Sequence, residues 1–281
     1  QNFTDVDDKI INRANEEGVV LIPPSATADD ITTEDDYVFR ACFKDTLQGG
    51  IAAAYVDQQG ITRVGTIACS ADTYSQGLVD AFALACEERG IEVVEQQSTA
   101  TMNAQDFTNQ FTAMVNADVE LVYAVYYYDA VGPFLVTQAR AAGVTGTFLG
   151  GDGWGSVKDY ASAEDLEGSV YCSGYAPGSN DAVKKFEADY EAKYGEAIPN
   201  MFAPLGYDAA LLLVEGLKAA EAAGLEAGSD DYKQAVIDGI KGINGVEGIT
   251  GSYAFDEYNN PIKSAAMIKL TGGEEVFTEL F

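Results

Sequence analysis

The chain has 281 residues, of which 47% are hydrophobic and 22% charged, an ordinary globular composition with enough core material for two lobes. Sixteen Lys+Arg against 45 Asp+Glu leave a formal net charge of −29, which excludes the basic face needed to bind nucleic acid or anionic lipid. With no histidine in the chain, imidazole-based catalysis and imidazole-ligated metal sites are excluded as well.

In chain order, a helix is predicted from about Val6, with Asp5 as its cap, Ile10, Ile11 and Ala14 as its apolar face and Gly18 as its stop. Residues 19–22 form the one clear strand before position 45. Leu47, Ile51, Ala54 and Tyr55 then fall at helical spacing until Gly60. Residues 64–69 are short and apolar, as a strand buried on both faces requires. A helix over 75–89 follows, with Leu78, Phe82, Ala85 and Cys86 on one face and Gly90 ending it. Strand 91–94, helix 105–117, strand 121–126, helix 130–142 and strand 147–149 continue the alternation. Such a βαβαβαβ series predicts an α/β fold, a doubly wound parallel sheet with right-handed crossovers and helices on both faces.

Beyond Asp152, Gly and Ser become frequent. Residues 170–172 read as a strand, and the turn cluster 176–180 suits a crossing between lobes. Helices at about 181–194, 204–223 and 229–241 come almost without strands between them. Strand texture returns at 252–255, 265–270 and 275–277, with turns at 259–261 and 271–273. The late helices have no sheet of their own, and 19–22 is too little to cover them.

No apolar run approaches the roughly 20 residues that cross a bilayer. The longest, 19–22, is strand-sized, and 209–214 is closed by Glu215. No signal peptide is visible at the start. Cys42, Cys69, Cys86 and Cys172 show no CxxC spacing. They read as buried thiols or as a disulfide whose pairing sequence cannot supply. The sequon Asn2-Phe-Thr4 reads as a chance match, and the acid excess as a solvated surface.

From Val19 onward a set of motifs stands in colinear order: Ile22-Pro-Pro-Ser-Ala-Thr27, Tyr37-Val-Phe-Arg40, Gln48-Gly49 and Thr73-Tyr-Ser-Gln-Gly77. Gln138-Ala-Arg-Ala-Ala-Gly143, Gly150-Gly-Asp-Gly-Trp-Gly-Ser156, Leu205-Gly-Tyr-Asp-Ala209 and Gly248-Ile-Thr-Gly251 follow. On these residues the chain resembles the periplasmic substrate-binding proteins of ABC transporters for branched-chain amino acids. The resemblance implies a two-lobed type 1 periplasmic-binding-protein fold that closes on its ligand. The opening strands and helices of the first lobe have no counterpart here, so that lobe is expected to be incomplete. Through the run Phe3-Thr-Asp-Val-Asp-Asp-Lys-Ile10, residues 1–18 instead resemble a stretch of cysteinyl-tRNA synthetases, without the ATP-binding or zinc motifs of that family. The expected organisation is a foreign N-terminal helical segment at 1–18, a first-lobe remnant at 19–42 and 175–251, and a complete second lobe at 43–174 and 252–281.

The resemblance assigns the ligand's head group to Ser25 and Thr27, which local pattern alone reads as a hydroxyl-rich turn with Thr27 capping the next segment. Asp152 follows strand 147–149 at the carboxyl end of a parallel sheet, where open α/β sheets place ligands. By resemblance it pairs with the α-ammonium; the plain alternative is a glycine-rich turn. GDGWGS is not a phosphate loop, since it lacks the GxxxxGK[ST] pattern and its lysine. Tyr74 and Tyr127 sit on the same edge and are expected to form the aromatic wall. The run 126–128 leaves a one-residue ambiguity, because neighbours in a strand point to opposite faces. Trp154 either flanks the pocket or packs beneath it.

The function implied by resemblance is an extracytoplasmic solute-binding component that carries a branched-chain or similar aliphatic amino acid to an ABC permease. It needs no cofactor and no metal. Two alternatives stay open: a ligand-sensing receptor or amide-regulator domain of the same fold, and a truncated chimera without function. Catalysis is disfavoured by the absence of histidine, of a nucleophile elbow and of paired carboxylates. Loss of first-lobe strands is expected to expose the apolar faces of helices 181–194 and 204–223 and so to favour self-association.

Overall fold

A computed structural model describes residues 8–33 and 37–281; the expected Asp5 cap and the sequon at Asn2 lie outside them. The elements in chain order are α1 (Asp8–Glu17), α2 (Asp45–Gln58), β1 (Arg63–Cys69), α3 (Thr73–Arg89), β2 (Glu92–Thr99), α4 (Thr108–Asn116) and β3 (Leu121–Val125). They continue with α5 (Tyr128–Ala130), a π turn (Val131–Val136), α6 (Thr137–Ala142), β4 (Thr147–Gly150), α7 (Ala163–Leu166), β5 (Val170–Ser173) and α8 (Asp181–Tyr194). The last are α9 (Phe202–Ala222), α10 (Asp230–Lys241), β6 (Asn244–Gly248), β7 (Gly251–Ala254), β8 (Ala266–Thr271) and β9 (Glu274–Leu280). The π turn contains Pro133, which lacks the N–H that an α ladder requires, so the helix widens there. The chain forms two compact units, Gln1–Lys44 with Asn180–Ser264 and Asp45–Ser179 with Ala265–Phe281.

The second unit is built on a seven-stranded sheet of order β2-β1-β3-β4-β5-β8-β9. The first five strands pair in parallel; β8 and β9 join antiparallel through the predicted turn after Leu270. Alternation along β3 separates two cores. Val122 and Ala124 pack with Ile67, Phe111, Met114 and Phe148 on one face. On the other, Tyr123 meets Phe82 of α3 at a ring distance of 4.3 Å. The apolar run of β1 is therefore buried on both faces, as a central parallel strand requires.

Much less of the first unit is sheet. Leu21, expected within a strand, makes only an isolated parallel bridge to Val38, with bonds from the Leu21 N–H to the Tyr37 carbonyl (3.0 Å) and from the Phe39 N–H to the Leu21 carbonyl (2.8 Å). A strand needs neighbours to persist, and among the described residues this one has a single partner segment. The hairpin of β6 and β7 is the unit's two-stranded sheet. This pairing corrects the expected boundary: residues 252–264 lie with the first unit, because β7 hydrogen-bonds to β6 and not to the large sheet. Helices α9 and α10 supply a core of Leu212, Ala220, Val236, Ile237 and Ile240 around Phe39 and Tyr253. Helix α1 is tied into the unit: Ile11 packs on Ala26, Ala28, Ile31 and Val38, Asn15 Oδ1 accepts the Tyr37 N–H (2.8 Å), and Lys233 Nζ donates to the Glu17 carbonyl (3.0 Å).

Candidate functional site

The carboxyl edge of the parallel sheet in the second unit gathers the site. Strand β4 ends at Gly150, and a short 3-10 turn, Asp152–Trp154, follows. The turn is tight because glycine is placed where side chains crowd in. A Cβ on Gly150 would overlap the Trp154 indole, and one on Gly153 would stand 2.8 Å from the Tyr127 ring. Trp154 is wholly buried, its indole N–H donating to the Ala124 carbonyl at 2.9 Å. Of the two expectations for this residue, packing beneath the site is the one observed.

Helix α3 enters at the same edge. Its cap is Asp72, whose carboxylate accepts the Ser75 N–H at 3.0 Å. The Ser75 hydroxyl accepts the Cys69 N–H (3.0 Å) and donates to the Val125 carbonyl, so it ties the ends of β1 and β3 to the helix start. Tyr74 is thereby directed inward, at 1% exposure. It stacks on Tyr127 with rings 5.2 Å apart and 8° from parallel. Of the two rings expected to form an aromatic wall, Tyr74 is buried, with its hydroxyl bonded to Asp152 and to the Gly153 N–H. Tyr127, at the N-terminus of α5, is half-buried.

Asp152 is 5% exposed. Its Oδ1 receives the Tyr74 hydroxyl at 2.7 Å and the Gln48 amide at 3.1 Å. The Asp152 N–H donates back to Gln48 Oε1 (2.6 Å), and the Gly153 N–H donates to the Tyr74 hydroxyl (2.8 Å). Among the described residues no side-chain donor reaches Oδ2. Burial raises the carboxyl's pKa, opposed by the bonds from Tyr74 and Gln48 and by the backbone N–H groups of Asp152 and Gly153. The Tyr74 phenol is pushed well above its ordinary range, first by burial and then by the charge of Asp152.

The structure thus brings together Tyr74, Tyr127 and Asp152 in the second unit. Ser25 and Thr27 belong to the first unit, where they follow the Leu21 bridge; Ser25 is half-buried and Thr27 is 1% exposed. Gln48 was not legible in the sequence as a neighbour of Asp152, although Gln48-Gly49 stands among the colinear motifs. The usable signal was a polar residue on the apolar face of α2, where Ile51, Ala52 and Val56 are also buried.

A polar cluster in the first unit was likewise not legible in the sequence. Asp208, fully buried on α9, accepts the N–H groups of Ile249 (2.7 Å) and Thr250 (2.8 Å) and the Thr250 hydroxyl (2.6 Å). The Tyr253 hydroxyl has Asp208 and the Ala41 carbonyl as acceptors, and Lys263 Nζ donates to Tyr253 (2.8 Å) and to Thr250. Asp208 thus closes the β6–β7 turn, which accounts for the paired sequence signals around 208 and 248–251. Among the described residues no group of three or more acidic or cysteine side chains could hold a metal ion, and all four cysteines are buried thiols.

Comparison with known proteins places this geometry in context. A periplasmic binding protein family model matches residues 1–274. The chain is 29% identical over 224 residues to Leu/Ile/Val-binding protein homolog 3 of Brucella melitensis, covering 79% of this chain and 58% of that protein. It is 28% identical to Leu/Ile/Val-binding protein BraC3 of Rhizobium johnstonii, covering 94% of this chain and 70% of the relative. Among solved structures, the leucine-binding protein LivK of Thermotoga maritima superposes with a TM-score of 0.84 at 28% identity, covering 97% of this chain and 75% of that one. LivJ of Streptococcus pneumoniae, solved in complex with isoleucine, gives 0.83 at 29% identity, with coverage of 96% and 75%. The chain therefore spans roughly three-fifths to three-quarters of the length of these relatives. On the match over residues 1–274, the chain belongs to the periplasmic binding protein family.

Proposed function

We propose that this chain is the solute-binding component of an ABC transporter, located outside the cytoplasm, and that it binds a branched-chain or similar aliphatic L-amino acid. The observation that carries this reading is Asp152, a buried carboxylate with Oδ1 engaged and Oδ2 without a side-chain donor. A ligand ammonium supplies what that oxygen lacks, an opposite charge with hydrogens to donate. Tyr127 is the aromatic surface beside it, and Ser25 and Thr27 are proposed as hydroxyl donors to the ligand's carboxylate. The names of the relatives and the isoleucine in the Streptococcus protein support the choice of side chain. In this reading the partner is a membrane permease, the chain is not an enzyme, and residues 1–18 bring no synthetase activity.

The test is thermal unfolding against L-leucine, L-isoleucine and L-valine. A ligand at 100 times its Kd should stabilise by about 2.7 kcal/mol. Asp152→Ala should abolish the shift, with affinity falling at least a hundredfold, because the ammonium would be left unpaired. A transition that no amino acid moves, in a protein with a cooperative melt, would sink the reading.

We also propose self-association through the first unit. Tyr194 (57% exposed) and Tyr207 (52%) line a groove of about 350 Å³ with Phe186 and Tyr190, between Asp189 and Lys193. A second copy related by a two-fold axis would set each acid against the other copy's lysine. Sedimentation velocity should show a dimer that Tyr207→Glu dissociates; a monomer at all concentrations overturns the proposal.

A further inference from the structure

Resting on the reading of Asp152 as the ammonium partner, we propose that Gln48 is the positioning residue for that acid: with Tyr74 it occupies Oδ1 and leaves Oδ2 as the one carboxylate oxygen offered to a cationic donor. A backbone N–H can only donate, so the 2.6 Å bond from the Asp152 N–H fixes the Gln48 amide with Oε1 toward the backbone and Nε2 toward Oδ1. The Gly153 N–H likewise occupies the Tyr74 oxygen as an acceptor, so the phenolic hydrogen goes to Oδ1 at 2.7 Å. Two donors thus converge on Oδ1, and a third hydrogen there would meet both.

Any proton that Asp152 takes up therefore sits on Oδ2, the oxygen a ligand ammonium needs. Proton and ligand compete for a single atom. A primary ammonium qualifies as ligand, while an N-acylated amino acid, whose nitrogen is an uncharged amide with a single N–H, does not. Gln48 lies 104 positions before Asp152 and is completely buried, so its amide has no solvent to turn toward and its register is held by α2. The other groups facing the carboxylate are Tyr74, with Tyr127 stacked behind it, the Tyr123 phenol on β3, and Cys172; burial holds the Tyr123 phenol and the Cys172 thiol well above their usual ranges.

Ligand-free protein, ¹³C-labelled at aspartate carboxyls, should be titrated by NMR as wild type, Gln48→Met and Gln48→Glu. Loss of the Nε2 donor in Gln48→Met removes a bond that favours the ionised form, so the Asp152 midpoint should move up by about one unit. Gln48→Glu keeps size and acceptor but loses the donor when ionised; it should split the titration into two steps belonging to the carboxyl pair. The second variant gives the answer if the first does not fold. An Asp152 midpoint unmoved in a folded variant would overturn the proposal, whether or not the protein binds any amino acid. L-leucine affinity, measured separately by calorimetry, should weaken about tenfold per pH unit below the wild-type midpoint, with that break displaced upward in Gln48→Met. A purely structural role for Gln48 would lower affinity equally at all pH values and leave the break where it was. Wild type that binds no leucine while the NMR midpoints still shift would refute the ligand reading alone.

Discussion

The two units hold together by different means. In the second, five parallel strands and an antiparallel pair share one ladder, and side chains from alternate positions fill a core on each face. Among the described residues the first has two isolated bridges, Leu21 to Val38 and Phe255 to Pro261, and one hairpin, so much of its order rests on helix packing and on Asp208, which takes up backbone and side-chain donors of the β6–β7 turn. A sheet satisfies backbone groups cooperatively, whereas a single buried carboxylate is one point of failure. Leu213 and Val214 of α9 are 37% and 44% exposed, and Val20 and Ile22 remain only partly buried beside Ala209 and Leu213.

The sharpest way to break this contrast is Asp208→Ala. It leaves the Ile249 and Thr250 N–H groups and Lys263 without their acid, and should cost about 4 kcal/mol, the range for removing one partner of a buried charged network. Hydrogen exchange should show faster opening across β6 and β7 while β1 and β3 stay protected; uniform loss of protection would refute the division of labour. In the second unit, Gly150→Ala presses a methyl group against the Trp154 indole and should cost about 2 kcal/mol through overpacking. Its signature is a red-shifted tryptophan emission, readable because Trp154 is the chain's one tryptophan.

A pH experiment addresses the first unit again. Burial pulls Lys263 down to about 8, against the opposing pull of Asp208. Between pH 8 and the ordinary lysine value the unfolded chain holds a proton that the folded one lacks. This group's contribution to stability therefore rises with pH across that window, by at most about 1.4 kcal/mol per unit, and is lost as pH falls through 8. Denaturant titrations should show the slope in wild type and its absence in Lys263→Met. The smallest effect expected is that of Asp72→Ala, which removes the α3 cap and should cost about 1 kcal/mol in urea unfolding.

The second unit was far more legible than the first. Apolar runs at 64–69 and 121–126 and helix faces such as Leu78, Phe82 and Cys86 carry local periodicity, and parallel α/β topology follows from alternation alone. The first unit's signals misled where a segment's state depends on a distant partner. Residues 19–22 have the composition of a strand yet make one bridge, and 252–255 pair with a strand that sequence did not suggest. At the site, Asp152 could be read from its place after β4, whereas the depth of Tyr74 is not a local property and was not legible in the sequence.

Sequence by itself determined which segments are helix and strand in the alternating half, that no imidazole chemistry is available, and that an acid stands at the carboxyl edge of the sheet. Only tertiary structure decided which oxygen of that acid is occupied, since Gln48 and Tyr74 reach Asp152 across 104 and 78 positions. It also decided that Trp154 is core and that 252–264 belong to the first unit. The reason is physical. Periodicity encodes which way a side chain faces its own element, whereas hydrogen-bond partners and burial depth arise when elements far apart in the chain pack together.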